Sequence, residues 1–178
     1  MRKVVLMMSV SLDGFVARTN GELDWLFPNM SADVVDWSSE TLSEADTHVL
    51  GKENYLEQAA HWPTATDDLA PLINRATKVV FSSTLTTADW ANSRIATGDL
   101  AKEIDALKQE PGGMIFVPGG ARFAQSMSRA GLIDEYRLLV HPVALGAGQP
   151  LFAEEIALEL IGTRSFETGV TALTYRRA

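Results

Sequence analysis

Met114-Ile115-Phe116-Val117-Pro118-Gly119-Gly120-Ala121-Arg122-Phe123-Ala124 is the stretch on which the reading of this chain turns. Four apolar residues of strand length run into two glycines, and a helical pattern starts at once. Phe123 and Met127 give that helix, Ala121 to Arg129, a buried stripe, and Gly131 stops it. Glycines here let the backbone approach a ligand without a Cβ in the way. The helix start adds unpaired N–H groups and a positive dipole end. The turn therefore suits a diphosphate, or else it is a tight strand-to-helix connection that binds nothing. It is not the dinucleotide fingerprint: the spacing G-x-G-x-x-G is missing, and no acidic ribose-binding residue follows a second strand about twenty residues on.

The same alternation extends outward. Apolar runs of strand length recur at Lys3–Val10, Thr47–Leu50, Lys78–Phe81, Tyr136–Leu145 and Gly169–Arg176. Most are continuous rather than alternating, as expected of strands covered on both faces. Helical patterns lie between them. One covers Asp33–Leu42. Another carries Leu100, Ile104 and Leu107, begins at an Asp99 N-cap and ends at Pro111-Gly112-Gly113. Strands alternating with helices predict an α/β sheet. No helix-length pattern separates the last two strand runs, so the sheet should be mixed, with an antiparallel C-terminal edge. No repeat, low-complexity segment or long linker divides residues 1–178, which read as one domain.

Composition narrows the function. The chain has 178 residues, 46% hydrophobic and 21% charged, which suits a globular domain. With no cysteine, a disulfide framework, thiolate catalysis and Cys-ligated metal centres are excluded. The net charge of −8 argues against nucleic acid or an anionic membrane as partner. No apolar run approaches the roughly 18 residues of a membrane span. The apolar start at Val4–Met8 is too short for a secretory signal, so the expectation is a cytoplasmic protein. His48, His61 and His141 lack ligand spacing, so no metal site is expected; His141 reads as structural. There is neither a G-x-S-x-G elbow nor a P-loop.

An ordered series of motifs adds a family resemblance. It runs through Ser11-Leu12-Asp13-Gly14-Phe15-Val16-Ala17, Asn20-Gly21-Glu22-Leu23-Asp24-Trp25-Leu26 and Val49-Leu50-Gly51-Lys52-Glu53-Asn54-Tyr55. It continues through Lys78-Val79-Val80-Phe81-Ser82-Ser83-Thr84-Leu85 and the Gly119-Gly120 turn. It closes with Gly131-Leu132-Ile133-Asp134-Glu135-Tyr136, His141-Pro142 and Gly146-Ala147-Gly148-Gln149-Pro150-Leu151-Phe152. Spread in order over nearly the whole chain, the series resembles the dihydrofolate reductase-like superfamily. Within it, the series is most similar to the RibD C-terminal domain family, the reductase domain of the riboflavin-biosynthesis deaminase–reductase.

The resemblance implies a three-layer αβα fold around a mixed, mostly parallel eight-stranded sheet, and an NADPH-dependent reductase. It places Lys52 at the adenosine phosphate, with Gly51 before it and Asn54 where relatives usually carry threonine. Ser82 and Ser83 match adenosine-side contacts, although many relatives have arginine at the second position. Val117, Gly119, Gly120, Ala121, Arg122 and Phe123 match the diphosphate turn, and Ala17 matches a further cofactor contact. The resemblance also implies a cis peptide between the two glycines and a homodimer through the C-terminal strands.

On the substrate side two carboxylates are candidates. Asp33 matches the acid that holds the protonatable ring in folate-reducing members, where it would stabilise a protonated C=N; alternatively it is a helix-start charge. Asp13 ends a buried strand, where α/β sheets hold ligands, or is a turn residue. Trp25 either walls a flat heterocycle or packs in the core. No lysine or arginine stands between Arg18 and Lys52, whereas seven Asp or Glu residues do. Pro118 also replaces the acid that the riboflavin-pathway reductase tends to place before its glycine turn. Both departures speak against the phosphorylated riboflavin intermediate and for a neutral or protonatable heterocycle, such as a pteridine, or a plain carbonyl compound. The expected activity is hydride transfer from NADPH to C=N or C=O. The alternatives are a nucleotide-binding or regulatory module without turnover, and a flavin-binding protein.

Overall fold

All six strand-length runs form strands, and the three helical patterns form helices. The computed structural model describes residues Met1–Ala178. In chain order it contains β1 (Val4–Ser11), β2 (Phe15–Ala17), α1 (Ala32–Ser43), β3 (Ala45–Gly51), α2 (Lys52–His61), α3 (Ala70–Arg75), β4 (Thr77–Phe81) and β5 (Ser93–Ile95). There follow α4 (Leu100–Gln109), β6 (Met114–Val117), α5 (Ala121–Arg129), β7 (Glu135–His141), β8 (Gln149–Pro150), β9 (Leu158–Ser165) and β10 (Thr171–Arg177). The main sheet has eight strands in the order β5-β4-β3-β6-β1-β7-β10-β9; β2 and β8 pair separately. All pairs from β5 to β7 are parallel, and β7-β10 and β10-β9 are antiparallel. This is the mixed sheet with an antiparallel C-terminal edge that the sequence predicted.

Helices cover both faces. On one, Val4, Leu6 and Val10 of β1 pack with Ile104 and Leu107 of α4 and Ala124 and Met127 of α5. On the other, Val5, Leu50, Val80 and Phe116 pack with Leu42 of α1, Tyr55 of α2 and Ile73 of α3. Side chains alternate between the faces along each strand, so continuous apolar runs are what a doubly covered sheet needs. Burying each large apolar side chain contributes about 1.5–3 kcal/mol, an upper figure because the unfolded chain is itself partly collapsed.

Local chemistry sets the helix ends. The Asp99 carboxylate accepts the Ala101 and Lys102 amides and starts α4. Gly131 (φ +70°) ends α5 in the left-handed conformation that the sequence suggested. β7 stops at His141, four residues before the predicted end at Leu145, because Pro142 cannot donate to the ladder. At the N-terminal ends of the strands, Arg2 pairs with Asp46, Lys108 with Asp134 (2.8 Å), and Arg137 with Glu135 (2.7 Å) and Glu44 (3.1 Å). That end of the sheet is thus tied shut by side chains. The other end carries glycines and open helix starts. No helix is long and apolar enough to cross a membrane.

Candidate active site

The central strand β1 is buried except for Met7, Met8 and Ser9, three consecutive half-buried residues between buried Leu6 and Val10. Partial exposure in a strand flanked on both sides marks thin helical cover at its C-terminal end, with Met7 and Ser9 on one face and Met8 on the other. Ligands of open α/β sheets occupy the cleft at the C-terminal strand ends. The residues singled out from the sequence divide into two groups on either side of it.

The first group gathers at the ends of β4, β3 and β6. Gly51 is the N-cap of α2 and Gly120 the N-cap of α5, and neither helix start receives a side-chain cap. The first-turn amides of both helices, including Ala121, Arg122 and Phe123 in α5, donate to no protein acceptor. The two starts touch: a Cβ on Gly51 would lie 3.2 Å from Cβ of Phe123, and one on Gly120 3.5 Å from Cβ of Asn54. Gly119 (φ +144°) and Gly120 (φ +81°) both occupy backbone conformations that side-chain-bearing residues avoid. The structure contains no cis peptide, so the expected cis bond between them is corrected to trans. Two successive positive-φ glycines turn the chain here.

Further side chains complete this group. Lys52 Nζ donates to Thr84 Oγ1 (2.7 Å), and Ser82 Oγ accepts the amides of Thr84 (3.1 Å) and Leu85 (3.0 Å). Ser83 is exposed beside them. Asn54 accepts from Gln58 (2.8 Å), and Phe123 stacks on Phe81 with ring centres 5.6 Å apart. Val117 is fully buried, so only its main chain can meet a ligand, and Ala17 is buried at the end of β2. Two uncapped helix starts, two adaptable glycines and the cations Lys52 and Arg122 suit an anion with more than one phosphate. The chemistry of these donors therefore fits NADPH.

The second group lies around the ends of β1 and β7. Asp13 accepts from Ser11 Oγ (2.6 Å) and from the amides of Leu145 (3.0 Å) and Gly146 (2.7 Å). These donors, Ser11 foremost, hold its pKa down to about 2. Asp33 accepts from Ser31, from the Val34 amide (3.0 Å) and from the Glu167 amide (3.1 Å). The Ser31 hydroxyl and the Glu167 amide hold its pKa below the usual range. Both carboxylates are thus ionised at neutral pH; Asp13 ties the loop after β7 to the turn after β1, and Asp33 ties the β9–β10 turn to the start of α1. Trp25 is buried edge-on against His141, with ring centres 5.3 Å apart. His141 Nε2 lies 3.1 Å from Ser9 Oγ. Trp25 Nε1 and His141 Nδ1 are buried without a hydrogen-bond partner. Burial alone pushes the His141 pKa down, so its ring is neutral.

Comparison with known proteins identifies the family and the fold. The sequence profile of the RibD C-terminal domain matches residues 2–172. YyaP of Bacillus subtilis is 34% identical over 98% of this chain and 94% of its own. The chain belongs to the RibD C-terminal domain family. Among solved structures, a putative riboflavin biosynthesis protein from Shewanella sp. PV-4 superposes with a TM-score of 0.82 at 24% identity, over 99% of each chain. Dihydrofolate reductase from Enterococcus faecalis, solved with NADP(H), superposes with a TM-score of 0.65 at 16% identity, over 98% of this chain and 96% of that one. The fold is therefore the dihydrofolate reductase-like one, and the family is reductase-like.

In this RibD C-terminal domain the structure adds residues that sequence reasoning missed. Thr84 meets Lys52. Phe81 stacks on Phe123. Met8 reaches the glycine turn, its Cε 3.5 Å from where a Cβ on Gly119 would lie. Ser9 meets His141. A Phe-Ser-Ser-Thr strand end gave a signal for Thr84; nothing local distinguished Met8 and Ser9 from the rest of β1.

Proposed function

We propose that this protein is an NADPH-dependent reductase that adds hydride to a C=N or C=O bond of a small ring compound. One observation carries the reading: the uncapped, glycine-started helices α2 and α5 open side by side onto the C-terminal strand ends. The turn Gly119–Phe123, with Gly51 and Asn54, holds the diphosphate on main-chain N–H groups. Lys52, with Ser82, Ser83 and Thr84, holds the adenosine phosphate, and Arg122 adds positive potential. Bound NADPH supplies the hydride.

The protein's own part is positioning and electrostatics. Asp13 fixes the loop after β7. Asp33 favours, by its negative field, protonation of an initially neutral C=N as the hydride arrives. With both acids ionised, water supplies the proton. β9 is the sheet edge and exposes Leu160 and Ile161, so it is the surface through which two copies would pair.

Calorimetric titration with NADPH and NADH tests the reading. A preference for NADPH of tenfold or more, about 1.4 kcal/mol, is expected. Binding of neither nucleotide would overturn it. A second reading, a nucleotide-binding module without turnover, is favoured by the engagement of both carboxylates in loop contacts. Oxidation of NADPH in the presence of carbonyl compounds and dihydropterins separates the two: binding with no turnover selects the module.

A further inference from the structure

The substrate side holds a set of groups that the reading above leaves without a task. Ser9 is half-buried on the exposed stretch of β1. Its hydroxyl has one protein partner, Nε2 of His141. That ring is fully buried against Trp25, and its Nδ1 has no partner.

The neutral ring has two tautomers. With the proton on Nδ1, a buried N–H would donate to nothing. With the proton on Nε2, only a lone pair is left unsatisfied. Orphaned buried N–H groups are the rarer case in folded proteins. The Nε2–H tautomer is therefore the one that leaves no orphaned donor on this ring; in it His141 donates to Ser9 Oγ, which leaves the Ser9 O–H free to donate into the cleft.

Charge on this side points the same way. Arg18 is taken by both oxygens of Asp24 (2.6 and 3.0 Å). At this end of the sheet Lys52 and Arg122 lack a carboxylate partner, and both begin cofactor-side helices. Arg164 is likewise paired, with Glu40 (3.8 Å), so a phosphate or carboxylate on the substrate would have to compete with these carboxylates for a cation.

We infer that Ser9, oriented by His141, is the substrate-side hydrogen-bond donor, and that the cleft selects an uncharged compound presenting a carbonyl oxygen or imine nitrogen. The inference rests on the reductase reading. Ser9 touches the substrate; His141 is a positioning residue.

The test uses a matched pair of probes: 5,6-diaminouracil, which is uncharged, and 5-amino-6-(5-phosphoribosylamino)uracil, which adds a sugar phosphate. Each is titrated calorimetrically into the whole protein with and without saturating NADPH. The uncharged probe is expected to bind at least tenfold more tightly. Ser9→Ala is expected to weaken it about tenfold, and Ser9→Thr, which keeps the hydroxyl, to recover most of that loss. His141→Phe should match Ser9→Ala, with no further loss in the double variant, because both remove one oriented donor. His141→Gln, which retains a side-chain N–H, should fall between.

Tighter binding of the phosphorylated probe, equal binding to Ser9→Ala and the unmodified protein, or additive losses in the double variant would each overturn the inference. So would binding of neither probe at millimolar concentration. NADPH titration of the unmodified protein is read separately. NADPH binding with no Ser9 effect sinks this inference alone, whereas failure to bind NADPH sinks the reductase reading.

Discussion

The two sides of the cleft are built from different chemistry. On the cofactor side the main chain is left open: α2 and α5 begin at glycines, and their first amides face the cleft without acceptors. On the substrate side the polar groups close on one another. Asp13 holds Leu145 and Gly146, Asp33 holds Glu167, and Arg18 holds Asp24. What remains free there is neutral, in Ser9, His141 and Trp25. Phosphates are matched by N–H groups, helix dipoles and cations, all of which the first side supplies. The second side offers shape and single hydrogen bonds, which favour an uncharged ring. On the proposed reading, one cleft would grip a charged cofactor and accept a neutral partner, because the unpaired charged donors stand on one wall.

The sharpest way to break this contrast is to close the open wall. Gly120→Val puts a branched side chain at φ +81°, against Asn54. NADPH affinity should fall at least a hundredfold, about 2.7 kcal/mol or more, in calorimetry. Unchanged affinity would mean that the glycine turn is only a connection.

Removing a cation from the same wall should have a smaller effect. Lys52→Ala is expected to weaken NADPH about tenfold and NADH much less, as Lys52 Nζ already reaches Thr84 at the rim. An equal loss for both nucleotides would move the 2′-phosphate away from Lys52.

Asp99 is the control for helix starts in general, since it caps α4 with two amide bonds. Asp99→Ala should lower stability by about 1 kcal/mol in denaturant unfolding. NADPH affinity should change far less than in Gly120→Val or Lys52→Ala, because Asp99 is not among the groups that hold the nucleotide in the proposed reading.

The smallest change is expected at Asp13. Its pKa is depressed from 3.8 to about 2 in the folded protein, so its contribution is fully present above pH 4 and is lost as pH falls through 2. Asp13→Asn should flatten that part of the acid unfolding curve. It should also speed hydrogen exchange at Leu145 and Gly146, while Glu22 keeps its amide bond to Asn20.

How much of this was legible in the sequence varied with the range of the interaction. The Asp99 cap, the Gly131 stop and the strand-glycine-helix turn depend on neighbours a few residues away, and all three were readable. Helix α2 was not. It buries only Tyr55, so Lys52–His61 shows no apolar stripe at helical spacing. Strand β9 escaped for a similar reason: as an edge strand it is mostly exposed, and its alternation is weak.

By itself the sequence determined the αβ alternation, the mixed sheet and the glycine turn at residues 119–120, because these follow from hydrophobic period and from glycine's freedom of φ. The motif order also pointed to the family. Only the tertiary structure decided which polar groups stay free. Ser9 and His141 are 132 positions apart in the chain, yet they meet on neighbouring strands. Asp13 gains the Leu145 and Gly146 amides, and Asp33 the Glu167 amide, from equally remote loops. Lys78 and His48 end up side by side in the core, where desolvation pushes their pKa values down to about 8 and about 4. Whether a polar side chain can act on a ligand depends on which donors and acceptors the fold has already brought to it. That partnership is long-range, and it exists only once the sheet has closed.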